Sequence, residues 1–253
     1  MIVLGSDIIA NRYTIDDTFG NNSWTAIKAV CQAGAIPSTW AVGDTKEITG
    51  KDGNTYHIRL VDKQSGRYNY SNSTLTTNAV FEFVELPNIT SVYNISSTNS
   101  GGFASSQLRL NLNGLTGYQS GKNFMTDIIP DDLAAVLEEV DIVTSTGGSS
   151  FTGTSTSANK LFVGNYINYA TSTTAQYTAE DALGQFDYYQ GLSNGSQTLR
   201  KKALVTSSTS YQYYWTGSPY AGNTTYVRYV DYNGSMNYNN AYNTYYVAPC
   251  FAF

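Results

Sequence analysis

Between Tyr211 and Tyr246 the chain concentrates eleven of its 22 tyrosines: Tyr211, Tyr213, Tyr214, Tyr220, Tyr226, Tyr229, Tyr232, Tyr238, Tyr242, Tyr245 and Tyr246. Asn223, Asn233, Asn237, Asn239, Asn240 and Asn243 fall among them, only Arg228 and Asp231 carry charge, and Lys and Glu are absent. Aromatic residues favour strands, yet this many phenols exceed what one face of two or three strands can bury with every hydroxyl satisfied, so many are expected at the surface. Trp215, Pro219, Val227, Val230, Met236, Val247 and Pro249 punctuate the run with hydrophobic and turn residues, unlike a low-complexity tract. Tyrosine gives a large amphipathic contact for two side-chain torsions, and Asn and Ser give adaptable hydrogen bonds, which is the composition of a recognition surface. Two plainer readings stand beside it: tyrosines that decorate strands, and a polar aromatic tail.

The rest of the composition agrees with a neutral, hydrogen-bonding exterior. Only 13% of the 253 residues are charged, against about a quarter in ordinary domains. A net charge of −5 with 14 dispersed Lys and Arg excludes a phosphate-binding face, so no nucleic-acid partner is expected. The one dense basic spot, Arg200-Lys201-Lys202, reads as a solvated helix end or turn. No apolar run approaches the roughly 18 residues of a membrane span, so no membrane insertion is expected. The opening MIVLGSDIIAN is apolar but lacks a basic segment, and residues 1–22 read as an attachment or oligomerisation arm before a domain over 23–253. Cys31 and Cys250 fit no paired metal or redox spacing and read as buried free thiols.

Local patterns predict an α+β domain. Ser23 caps a helix that places Trp24, Ile27, Val30 and Cys31 on one face and ends at Gly34. TKEITGKDGNTYHIRLVD reads as a hairpin turning at Gly50 to Gly53, and FEFVEL (Phe81 to Leu86) as a further strand. Helices are expected over Phe103 to Leu112 and from Pro130 through Leu137, strands at DIVTST and at KLFV from Lys160, and an exposed Ser/Thr/Gly loop over Thr144 to Ser157. A short helix is expected around Ala179 to Tyr189.

Catalytic patterns are weak. His57, the only histidine, lies in YHIRLV and admits no two-His metal site. Gly191 to Gly195 matches G-x-S-x-G, but no apolar strand precedes it and His57 comes before the serine, so it reads as a loop. The pairs Asp16-Asp17, Asp131-Asp132 and Glu138-Glu139 put neighbouring side chains in different directions; Asp131 and Asp132 suit the amino end of the helix after Pro130. No cofactor is expected and no metal-ligating residue stands out, while calcium held by loop carbonyls and Asp or Asn side chains stays open.

STNSGGFASSQLRLNLNG (Ser97 to Gly114), IIPDDLAAVLEEVDIVTST (Ile128 to Thr146), ANKLFVGN (Ala158 to Asn165), YYWTGSPY (Tyr213 to Tyr220) and VAPCFAF (Val247 to Phe253) follow one another in an order that resembles a bacterial and prophage domain family. That family has a C-type-lectin-like fold of the formylglycine-generating-enzyme type, with short helices around irregular antiparallel sheets. Trp215, Ser218, Pro219, Pro249 and Phe251 match its scaffold, whereas Thr216, Gly217 and Tyr246 depart from it. Departures toward Tyr, Asn, Ser, Thr, Asp or Gly are similar to the variable proteins of diversity-generating retroelements, whose adenine mutagenesis of Asn codons never yields Lys or Glu. The resemblance implies a ligand-binding protein with a variable region over about 208–253, either a phage or prophage receptor-binding (tropism) protein of the virion tail or a cell-surface adhesin. Its partner would be a cell-surface protein or a glycan, and a homo-oligomer or virion assembly is open to it. The copper-dependent oxidase chemistry of the enzymes needs a late cysteine pair, and only Cys250 is there, so no enzyme is expected.

The expected ligand-binding residues are Tyr211, Tyr213, Tyr214, Thr216, Gly217, Tyr220, Tyr226, Arg228, Tyr229, Tyr232, Asn237, Tyr238, Asn239, Asn240, Tyr242, Asn243, Tyr245 and Tyr246, with Trp215, Pro219 and Phe251 as buried support. The competing class is a structural virion or baseplate component whose aromatic end docks another subunit.

Overall fold

The computed structural model describes residues 13–149, 153–171, 180 and 183–253. Residues 1–12 of the expected arm, the tip of the Ser/Thr/Gly loop and most of the start of the helix expected from Ala179 lie outside the described residues; within the remainder of that helix only a 3-10 turn, Asp187–Tyr189, forms.

Helix α1 (Trp24–Gln32) forms as the sequence dictates. The Ala26 amide donates to Ser23 Oγ at 3.2 Å, Trp24, Ile27, Val30 and Cys31 are buried, and Gly34 leaves the helix at φ +64. In chain order the strands are β1 (Thr45–Thr49), β2 (Thr55–Asp62), β3 (Val80–Phe83), β4 (Thr90–Val92), β5 (Val140–Ser145), β6 (Thr154–Asn159), β7 (Ala203–Leu204), β8 (Ser207–Tyr211), β9 (Tyr214–Pro219), β10 (Tyr226–Val230), β11 (Met236–Asn240), β12 (Thr244–Tyr246) and β13 (Cys250–Ala252). A four-stranded sheet runs β1-β2-β3-β13, a five-stranded sheet β11-β10-β9-β12-β4, and β5-β6 and β7-β8 are separate hairpins. The result is a mixed α+β fold of small sheets and short helices. Strand pairs are antiparallel except β9 and β12, where Tyr246 faces Tyr214 in parallel, and an isolated bridge from Leu86 to Leu204 of β7 is parallel too, departures from the wholly antiparallel expectation. The contact of β12 with β9 lets the end of the chain cross from one sheet to the other: β12 completes the tyrosine-bearing sheet, and β13 then adds Phe251 opposite Phe81 in the first.

The core beneath is aromatic. Phe81 and Phe251 stack at 5.2 Å, Trp24 meets Phe251 edge-on at 5.5 Å, and Phe19, which the sequence puts in the arm, is buried against Trp40 and Phe81. Such pairs contribute about 0.5–1.5 kcal/mol each beyond their burial.

Four local expectations are corrected. The helix over Phe103 to Leu112 is split into a 3-10 turn (Phe103–Ser105) and α2 (Gln107–Asn113), because Ser106 takes an extended conformation and its Oγ accepts from the Arg109 amide. The helix after Pro130 spans only Asp131–Ala134. The loop over Thr144 to Ser157 is mostly the β5-β6 hairpin, and KLFV is extended chain joined only by a bridge from Phe162 to Cys250. β-Branched Thr at 154 and 156 suits a strand as well as a loop.

The basic triplet is a further correction. Arg200 and Lys202 are buried, and only Lys201 keeps partial exposure, its ammonium 5.5 Å from the Tyr211 ring. Lys202 enters a charged cluster at the sheet boundary: buried Glu82 accepts from Arg59 at 3.0 Å, Tyr189 at 2.7 Å and Tyr169 at 3.0 Å, and lies 3.2 Å from Lys202 Nζ. Arg200 instead holds the turn between β10 and β11, donating from Nε to Gly234 O at 2.7 Å.

Gly234 sits in that turn at φ +80, and a Cβ there would lie 2.0 Å from the Gln197 carbonyl oxygen. Backbone strain of this kind costs about 1–3 kcal/mol before any clash is counted. Gly234→Ala is therefore expected to lower the melting temperature by at least about 5 °C. A melt within 1 °C of the parent would show that the turn tolerates a side chain.

Candidate functional site

Strand alternation divides the tyrosine window into two clusters. Neighbouring residues of β10 point to opposite faces, so Tyr229 and Arg228 begin different groups.

On the first face, Tyr229 lies 4.8 Å from Tyr245 and 5.7 Å from Tyr213, and Tyr213 stacks on Tyr245 at 5.4 Å with Tyr232 edge-on at 5.6 Å. Buried Trp215 supports them at 4.6 Å from Tyr245, and its Nε1 donates to Ser91 O at 2.9 Å, which fixes the indole. Asn239 Nδ2 donates to the Tyr245 hydroxyl at 2.7 Å. These contacts fix Tyr245 from both ends.

On the second face, Tyr238 stacks on Tyr220 at 4.0 Å and on Tyr226 at 5.6 Å. Arg228, opposite Tyr238 in the β10-β11 register, sets its guanidinium carbon 4.5 Å from the ring centres of both Tyr220 and Tyr166. Tyr166 begins the short helix Tyr166–Tyr169 and was not among the residues expected from sequence. Nothing in its local sequence announces the contact, which exists only because that helix packs under β9.

The expected residues divide by burial. Tyr211, Tyr232, Tyr238 and Tyr242 are 43%, 48%, 42% and 52% exposed, and Asn237 is exposed with them. Tyr213, Tyr220, Tyr226, Arg228, Asn239, Asn240, Asn243, Tyr245 and Tyr246 are half-buried. Tyr214, Thr216, Gly217 and Tyr229 are buried, contrary to expectation. Tyr214 passes under the sheet, its hydroxyl donating to Arg200 O at 2.8 Å. Thr216 Oγ1 donates to Arg228 O at 2.9 Å, and the Gly217 carbonyl accepts from the Tyr93 hydroxyl at 3.0 Å. A Cβ on Gly217 would sit 2.5 Å from Asn165 Oδ1, so this residue is small because chains meet there. Trp215, Pro219 and Phe251 are buried as expected.

β11 is the sheet's outer strand, and outer strands present free amides to other chains. Here those amides are occupied. The Met236 amide donates to Asn194 O at 2.9 Å, that of Tyr238 to Asn237 Oδ1 at 2.9 Å and that of Asn240 to Asn239 Oδ1 at 2.8 Å. Two of the window's asparagines thus close the edge while their strand displays Tyr238.

Elsewhere the reactive groups make local contacts. His57 Nδ1 lies 2.9 Å from Glu85 Oε1, and Asp131 pairs with Lys51 at 2.7 Å at the amino end of its helix. Ser193 lies in a loop, its carbonyl accepting from Arg200 and its Oγ from Gln197. Both cysteines are buried free thiols. Among the described residues no group of three or more His, Cys, Asp or Glu is placed to hold a metal, and no helix is long and apolar enough to cross a membrane.

Fold and surface together define a mixed α+β domain that carries an aromatic display, with Arg228 as its one cation, above a largely aromatic core. The chain belongs to the family described as Domain of unknown function (DUF6273), which matches residues 70–253 and so contains the whole tyrosine-bearing sheet. Residues before the match supply β1 and β2, which pair onto β3 within it. No curated protein and no solved structure matches the chain.

Proposed function

We propose that this protein is a ligand-recognition protein, a phage or prophage receptor-binding protein or a bacterial surface adhesin, with its binding surface on the tyrosine-bearing sheet. The observation that carries this reading is the contrast within one sheet. Tyr238 and Tyr242 stand exposed, while Trp215, Tyr214 and Tyr229 of the same sheet are buried and locked by ring contacts and hydrogen bonds. Rigid aromatic groups on a fixed support bind with little ordering cost. A C-type-lectin-like scaffold with diversified positions, which the sequence resembles, is compatible with short helices around small sheets; of the positions that depart from that scaffold, Tyr246 is half-buried and Thr216 and Gly217 are buried.

The test is binding of the purified chain to intact bacterial cells and to an array of bacterial surface glycans. Tyr238→Ala and Tyr242→Ala should each weaken binding at least tenfold, as truncation of an aromatic anchor does, with stability changed by no more than about 1 kcal/mol. Tyr245→Ala is the contrasting variant, since its ring is wedged between Trp215 and Tyr213 and its loss should lower stability by about 2–4 kcal/mol. Binding that survives both exposed substitutions, or none on cells and array alike, overturns the reading. A near-copy of the codons for Tyr211 to Phe253, differing at adenines and lying beside a reverse transcriptase gene, is the corresponding test of diversification.

A further inference from the structure

Arg228 is the only cation in the tyrosine window. Among the described residues, the ion pairs involve Lys28, Lys51, His57, Arg59, Arg67 and Lys202, and none involves Arg228. Its guanidinium carbon lies over the Tyr166 and Tyr220 rings, 4.5 Å from each ring centre, with the Tyr238 ring centre at 5.8 Å. Nε is buried without a hydrogen-bond partner, whereas the side chain as a whole is half-exposed, so its terminal nitrogens form the accessible edge. Ring faces hold a guanidinium by its planes and leave its N–H edges free, which is the arrangement that presents two parallel donors to a carboxylate.

We infer that the accessible edge of Arg228, framed by Tyr166, Tyr220 and Tyr238, is a subsite for a carboxylate borne by a saccharide, such as a uronate or sialate residue. This rests on the recognition reading given above and names its ligand class. Stacking orients the guanidinium before the ligand arrives, so little side-chain entropy remains to be lost. The neighbourhood favours a sugar over a peptide. An extended peptide would seek the amides of β11, and those are already held by Asn194, Asn237 and Asn239. Beside the cation stands exposed aromatic surface on Tyr238, a partner for the apolar face of a pyranose.

The experiment uses the full chain on an array of uronate- and sialate-bearing glycans printed beside their carboxyl-reduced counterparts and a set of neutral glycans. The expected result is binding to at least one acidic glycan that falls tenfold or more when its carboxylate is reduced to the alcohol. That comparison uses the unaltered protein. Arg228→Gln should cause a similar loss, and Arg228→Lys, which keeps the charge without the planar fork, should recover only part of it. Melting curves of both variants check that they are folded. Binding of neutral glycans alone, abolished by Tyr238→Ala, would overturn the carboxylate subsite and leave the recognition surface standing. Equal binding of acidic and reduced glycans, or preference for Glu-rich peptides over every acidic glycan, would also overturn it. Binding of no glycan, together with no binding to cells, would overturn both readings.

Discussion

Glu82→Gln lowers the stability of the folded chain by about 3–5 kcal/mol, the range seen when one member of a buried ion cluster is removed. The carboxylate is buried in β3, with Arg59, Lys202 and the hydroxyls of Tyr169 and Tyr189 converging on its two oxygens. An amide of the same shape leaves two cations in an apolar interior with no negative charge between them. Removing a buried partner therefore costs more than the intact pair contributes. In a chain of this length the loss corresponds to a fall of roughly 10 °C in melting temperature. A drop under 3 °C would show that the cations find other acceptors.

The same cluster sets a dependence on acid. Burial alone would raise the Glu82 carboxyl, but Lys202 and Arg59, with the Tyr189 hydroxyl, hold it below its ordinary value. An acid whose folded pKa is depressed contributes stability that is present above its unfolded pKa and lost as pH falls through the folded one. That window lies below about pH 4.5. Asp62 works the other way, because burial raises its carboxyl despite its contact with Arg67 at 2.6 Å. The difference between wild type and Glu82→Gln isolates the Glu82 contribution: their melting temperatures should converge as pH drops below this window.

Much of the frame was legible because local chemistry and tertiary structure agree. Ser23 and Gly34 bracket α1 as cap and left-handed exit, and Gly53 at φ +79 turns the first hairpin. Agreement failed where a small polar residue was ambiguous. Ser106 serves as the cap of α2 and so divides a helix whose apolar spacing looks continuous. Thr154 to Ser157 reads as loop by its hydroxyls, yet it pairs with Ile142 to Ser145 of β5. The candidate site divides in the same way. Density of tyrosine announced a surface, but alternation alone could not tell Tyr213, which faces outward, from Tyr214, which is enclosed by Tyr169 and the Arg200 carbonyl. Thr216 and Gly217 have the composition of a binding loop and instead line a seam where β9 meets β10, Tyr93 and Asn165. Tyr166, far away in sequence, could be joined to Arg228 only by the fold.

The largest loss in the carboxy-terminal half is expected from Arg200→Met, which removes a guanidinium while keeping an unbranched side chain in its place. Arg200 donates to four carbonyls: Gly234 at 2.7 Å, Tyr169 at 2.9 Å, Ser193 at 2.7 Å, and Gly195. Those acceptors come from the β10-β11 turn, the short helix under β9 and the loop from Ser193 to Gly195, and one planar cation with five donors satisfies them together. A thioether satisfies none, and breaking a buried network of charge-assisted bonds places the expected cost at about 4 kcal/mol or more. Lysine would not restore it, because a single ammonium cannot reach acceptors spread over three segments. The injury should also be local. Amide exchange should rise first at Ser235 and Met236, whose amides bond to Asp231 and Asn194 in the held turn, while the β2-β3 pairing remains protected. Tyr238 stands two residues beyond Met236, so binding through it should weaken at temperatures where the variant is still folded. Uniform exchange across both sheets, or a cost below 1 kcal/mol, would mean that Arg200 does not hold the display in place.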